Sequence, residues 1–175
     1  MAQRPAGSPE KLNNPPLNVV LVEPQIPPNT GNIARLCAAT RCHLILAGKL
    51  GFRLDDATLK RAGLDYWEYV SWEHFPDLES FMHTLSDGNI HLLSTRSKVP
   101  YTKMRAVHGD YLFFGKETAG LPDSLLERYA GRCYTIPMAG RGVRSLNLSS
   151  AVAIVVYGAL RGIDPAQFEG PEGEE

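Results

Sequence analysis

Apolar residues come in short blocks separated by polar, proline-bearing or glycine-bearing stretches, and the spacing inside each block separates strands from helices. Leu17–Val22 is a mainly aliphatic run bounded by Pro15-Pro16 and Pro24, which predicts a buried strand. Ile33, Leu36, Cys37 and Thr40 then recur at i, i+3, i+4 and i+7, one face of a helix that Asn29 or Thr30 can cap. Leu44–Leu46 predicts a second strand, Asp55–Ala62 a short helix closed by Gly63, and Glu68–Ser71 a further strand. Leu78, Phe81, Met82 and Leu85 return to helical spacing. Strands at Ile90–Leu93, Tyr111–Phe114 and Cys133–Ile136 follow, with a short helix near Ser124–Tyr129. In Ser145–Leu160 the stripe Leu148, Ala151, Val152, Val155 and Ala159 is widened by Ile154 and Val156, so this helix is expected to pack on two sides.

Strands alternating with helices predict an α/β fold with a mostly parallel sheet and helices on both faces. Ligands of such sheets bind at the carboxyl ends of the strands, so function is expected in the loops that follow them. The predicted domain is 17–163, with a flexible tail at 1–16 and an acidic one at 164–175.

Composition narrows the class. The 175 residues include 43% hydrophobic and 21% charged side chains, and the 16 Gly and 13 Pro fall short of a low-complexity chain, where they would reach roughly 25–30%. The longest apolar stretch, Ala151–Tyr157, is far below the ~18 residues of a membrane span. Met1–Gly7 has no apolar core to serve as a secretory signal, so a cytoplasmic protein without a membrane partner is expected. Cys37, Cys42 and Cys133 are odd in number and show no CxxC spacing, so they read as buried thiols rather than disulfide or metal ligands. The net charge of -1 conceals an acidic end, Asp164, Glu169, Glu172, Glu174 and Glu175 without a base, and a mildly basic middle that suits an anionic ligand.

Three loops carry the candidate chemistry. Pro27 to Arg35 joins a stiffened approach to a helix start, whose free N–H groups attract phosphate or carboxylate. Phe113 to Pro122 follows a strand directly, with Glu117 between Gly115, which allows close approach to the backbone, and Gly120, which allows a sharp turn. Ile136 to Ser150 holds Gly140 and Gly142, but the third glycine of a dinucleotide fingerprint would fall at Ser145, so a nicotinamide-type site is disfavoured.

Taken together, NTGNIAR at 29–35, FGKETAGLP at 114–122 and IPM…RSLNLS at 136–149 closely resemble, in order and spacing, the three signature segments of SPOUT-class RNA methyltransferases. The short chain is similar to the TrmL/YibK-type members, which act on the ribose 2'-hydroxyl of the wobble cytidine or uridine in tRNA. The resemblance covers about residues 17–163. It implies an α/β knot, with a C-terminal deep trefoil, that binds S-adenosylmethionine in a bent form, and a homodimer that uses the first and last helices and needs no metal. Matched position by position, Leu93, Gly115, Ile136 and Ser145 correspond to cofactor contacts, with Thr95, Met138 and Leu146 beside them. Arg35 corresponds to the arginine implicated in activating the target hydroxyl, with Asn29, Glu117 and Asn147 around it. Ser150 departs from the asparagine that relatives often carry.

Arginine does not deprotonate in proteins. The role expected of Arg35 is therefore to orient the hydroxyl and a neighbouring phosphate and to stabilise the developing alkoxide, with the proton leaving to water or phosphate. Arg41, Arg141 and Arg144, together with Lys49, Arg53, Arg96, Lys98 and Lys103, are available for RNA backbone contact, with Tyr101 as a stacking platform. The same residues leave open a 2'-O-methyltransferase for ribosomal RNA or another tRNA position, and a non-catalytic RNA- or nucleotide-binding module.

Overall fold

The computed structural model describes residues 14–53, 69–86, 89–140 and 142–167. Six strands form one sheet: β1 Leu17–Val22, β2 His43–Ala47, β3 Trp72–Phe75, β4 Ile90–Leu93, β5 Asp110–Phe114 and β6 Cys133–Tyr134. Their spatial order is β3-β2-β1-β5-β4-β6, and every pairing is parallel. Among the described residues four α-helices connect or follow them: α1 Pro27–Thr40, α2 Leu78–Met82, α3 Asp123–Arg128 and α4 Leu148–Ile163.

Every residue of β1 is buried, which only a strand covered on both faces permits. Leu17, Val19 and Leu21 pack into one core with Ile33 and Cys37 of α1 and Val152, Val155 and Val156 of α4. Val20 and Val22 point the other way, to Phe81 of α2 and Leu125 of α3. A one-residue slip of β1 would exchange these two sets between the two cores, so the register is held by how each core packs around its own set. The chain order reverses between β1 and β5, the place where open α/β sheets form a crevice at their carboxyl ends.

Several boundaries differ from expectation. Helix α1 is not capped by Asn29 or Thr30; its N-cap is Ile26, and both expected caps lie buried inside the first turn. Pro27 and Pro28 explain the early start: their φ is already helical, and the N–H groups they lack have no intrahelical partner in a first turn. The strand expected at Glu68–Ser71 lies at Trp72–Phe75, in register with Leu44 to Ala47 of β2. Glu68 and the helix expected at Asp55–Ala62 fall outside the described residues, as do most of the two tails. Helix α4 begins at Leu148 rather than Ser145, because Asn147 accepts hydrogen bonds from the N–H groups of Ser149 and Ser150 and so serves as its cap. Strand β6 is shorter than expected, yet it is held on two sides. Ser94 N–H donates to the Tyr134 carbonyl at 2.9 Å, while Thr135 exchanges backbone hydrogen bonds with Val99 and Tyr101 at 2.8 and 2.7 Å.

No helix among the described residues is long and apolar enough to cross a membrane. Cys37 and Cys42 are buried thiols as expected, whereas Cys133 is only half-buried.

Candidate active site

At the carboxyl ends of β4, β5 and β6 lies a cavity of about 600 Å³. That is the size of a small-molecule site, typically ~300–1,000 Å³. All seven residues expected at a cofactor line it. Leu93 and Thr95 come from the end of β4, Gly115 from the end of β5, and Ile136 and Met138 from the segment after β6. Ser145 and Leu146 close it from the approach to α4. The lining also includes Arg96, expected among the residues available to RNA, and Ser94, Leu121 and Thr135, which sequence reasoning did not single out, although each adjoins a strand end or a motif residue.

The glycine at position 115 has a cause within the loop itself. A Cβ there would lie 2.0 Å from the Gly120 carbonyl carbon and 2.1 Å from the Leu121 nitrogen. The collision is with the loop's own returning backbone, a reason for glycine that the sequence reading did not supply. Lys116 and Gly120 pair across the turn, and Gly120 takes φ +73°, the conformation that favours glycine. The result is a narrow hairpin whose backbone forms part of the cavity wall.

Asn29, Glu117 and Asn147 come from three separate loops and join in one hydrogen-bonded chain. Asn147 Oδ1 accepts from the Ser149 N–H at 2.9 Å, which turns its amide so that Nδ2 donates to Asn29 Oδ1, also at 2.9 Å. Asn29 Nδ2 in turn donates to Glu117 Oε1 at 3.0 Å. The same carboxylate accepts from the Gln25 and Ile26 N–H groups at 2.9 and 3.2 Å, so Glu117 does from another loop what no side chain of α1 does for its own start. Around this chain, Lys116 Nζ donates to Glu23 Oε2 at 2.6 Å and Thr118 Oγ1 to Gln25 Oε1 at 2.7 Å, while Arg96 is paired with Asp123.

Arg35 is not among the residues lining the cavity. It is exposed on α1, six residues beyond Asn29 and so ~9 Å farther along the helix axis. Of the arginines expected at RNA, Arg144 lines the cavity, Arg41 is exposed at the left-handed residue that closes α1, and Arg141 lies outside the described residues. Tyr101 is half-buried against α4, close enough that a Cβ on Gly158 would come within 2.6 Å of its ring, so it is not a free stacking platform. Among the described residues there is no group of three or more His, Cys, Asp or Glu that could hold a metal ion.

A model of the SpoU rRNA methylase family matches residues 16–157, which include all three loops. The chain belongs to that family. This SpoU methylase is 46% identical over 156 residues to the tRNA (cytidine(34)-2'-O)-methyltransferase of Burkholderia cenocepacia, covering 87% of the present chain and 97% of the relative. It is 41% identical, with a TM-score of 0.76, to a solved structure described as giving insights into the 2-OH methylation of C/U34 on tRNA. That match covers 83% of the present chain and 95% of the other. A 27% identical AdoMet-bound rRNA methyltransferase from Sinorhizobium meliloti superposes with a TM-score of 0.74 over 87% of the SpoU methylase and 58% of that chain.

Proposed function

We propose that this SpoU methylase transfers a methyl group from S-adenosylmethionine to the ribose 2'-hydroxyl of the wobble pyrimidine, cytidine or uridine, in tRNA anticodon loops. The observation that carries this reading is the convergence of the three loops on one cavity, tied together by the Glu117–Asn29–Asn147 chain.

The residues present fit such a cofactor. Leu93, Ile136, Met138 and Leu146 offer apolar walls for a purine, and the Gly115 to Leu121 hairpin, folded back closely on itself, forms the rest of the wall beside them. When bound, S-adenosylmethionine supplies a sulfonium-activated methyl group. The chain's task is then to hold the ribose oxygen in line with it, and such positioning is worth roughly 7–11 kcal/mol in favourable cases. The hydrogen-bonded chain freezes Asn29 and Asn147 in one orientation each and leaves no rotational freedom to be lost on binding. Arg35, outside the cavity on the exposed face of α1, meets the RNA rather than the cofactor; its guanidinium orients the 2'-hydroxyl and a neighbouring phosphate and stabilises the alkoxide as its proton leaves to water or phosphate. Arg41, Arg141 and Arg144 contact the RNA backbone.

The enzyme acts as a homodimer in the cytoplasm. Supporting the dimer, α4 exposes Ile154 and Tyr157, 37% and 46% accessible, on the side away from its buried Val152 and Val155. The chain is read as the family's deep trefoil knot, supported by the hydrogen bonds that enclose residues 134–135 between Ser94 and Tyr101.

The test is methylation of unmodified total tRNA with labelled cofactor, followed by mapping. Label on the ribose of a wobble pyrimidine is the expected result; label on a base, label at another tRNA position, or no label on tRNA at all overturns it.

A further inference from the structure

Glu23, the residue after β1, has φ +49° and is one of two non-glycine residues in the left-handed region among those described. A non-glycine residue keeps such a backbone only where its surroundings over-determine it. Here the surroundings are specific. The Glu23 side chain passes over Gly48, where a Cβ would lie 2.9 Å from Glu23 Cγ, and ends 2.6 Å from Lys116 Nζ. The two side chains are 31% and 35% exposed, so the pair is partly withdrawn from water. Two residues on, Gln25 accepts from Thr118 and donates its backbone N–H to Glu117. Three successive residues of the hairpin, 116 to 118, are thus fastened to the short segment 23–26, which leads directly into α1.

We infer that the Glu23–Lys116 ion pair is a positioning device: it clamps the hairpin that walls the cofactor cavity onto the start of α1, and so sets the shape of the cavity before the cofactor arrives. This rests on the cofactor reading above and deepens it. Lys116 itself lines the cavity, yet its ammonium is committed to Glu23, so it shapes the site through the backbone of residues 115–121 rather than by offering a free charge to the ligand. Cutting the pair lets the hairpin move while leaving both cores intact, since neither residue belongs to them.

The experiment is calorimetric titration of the purified full chain with S-adenosylmethionine, for the wild type, Glu23→Gln, Lys116→Met, the double variant, Lys116→Arg and Thr118→Val, with thermal melts and tRNA kinetics alongside. The expected result is a cofactor Kd raised about tenfold by either single charge removal, no further loss in the double variant, and partial rescue in Lys116→Arg. KM for tRNA should stay within twofold and melting temperatures within a few degrees. Thr118→Val, at an exposed site where misfolding is not a concern, should weaken cofactor binding severalfold. Unchanged Kd in the single variants, or losses that simply multiply in the double, overturn the clamp while leaving the enzyme reading in place. A wild type that binds no S-adenosylmethionine overturns both, and one that binds it but methylates no tRNA overturns only the substrate assignment.

Discussion

Asn147 donates from Nδ2 to Asn29 Oδ1 across 2.9 Å while its own Oδ1 caps α4, so one side chain both starts the last helix and locks the first. Removing these duties separately gives different outcomes. Asn147→Ala loses both and should cost ~0.5–2 kcal/mol of stability as well as activity. Asn147→Asp caps equally well but turns an acceptor toward Asn29 Oδ1, and Asn29 cannot flip to donate without facing Glu117 with its oxygen. It keeps the cap but loses the link to Asn29, so its melting temperature should fall by no more than that of Asn147→Ala while turnover drops at least about tenfold, ~1.4 kcal/mol of transition-state stabilisation. Full turnover in this variant would show that the chain of amides does not serve catalysis.

Gly115→Ala tests the hairpin. Its Cβ would sit 2.0 Å from backbone that cannot swing aside as a flexible side chain would. Overpacking of this kind costs roughly 1–3 kcal/mol or more, and the strain falls on the cavity wall. Cofactor binding should be lost or weakened more than a hundredfold, read by calorimetry. Normal affinity would mean that the hairpin tolerates opening by more than an ångström.

Arg35 lies outside the cavity, so its substitution should separate the two ligands. Arg35→Lys keeps the charge and loses the planar fork, and should lower kcat roughly ten- to hundredfold with the S-adenosylmethionine Kd unchanged. A matching loss of cofactor affinity would place the arginine in the pocket after all.

The buried thiols set a limit at high pH. Burial pushes the Cys42 thiol up to about 11, against hydrogen bonding with Thr40 and Leu17 that pulls the other way, and burial with the neighbouring Cys42 raises Cys37 well above its usual value. In the unfolded chain a thiol ionises near 9.0, so the fold binds protons more tightly than the unfolded chain does. The contribution is intact below about pH 9 and is lost as pH rises toward 11. Melts between pH 8 and 10.5 should show a decline that Cys42→Ala reduces. At pH 8, alkylation of the native protein should reach half-buried Cys133 before the other two; rapid labelling of Cys42 would contradict its burial.

Local pattern located most elements because strands and helices differ in period and because their buried faces must be apolar. Ile90–Leu93 and Leu17–Val22 match to the residue. The start of α1 was misplaced because Asn29 looks like a cap in isolation, whereas its partner Glu117 is 88 residues away in sequence. Gly115 was legible as a residue that must be glycine, but the atoms that exclude a Cβ belong to its own loop's return, and no spacing rule shows that.

By itself the sequence determined the alternation of buried strands and amphipathic helices, the placement of three polar loops after strands, and the residue types those loops offer. Period and hydrophobicity are local properties, and they suffice for that much. Only the tertiary structure decided that Glu117 caps a helix it does not belong to, that Glu23 reaches Lys116, and that Arg35 stands apart from the cavity. Each of these depends on which strands lie side by side, and parallel neighbours joined by long crossovers carry no local signal of their partner.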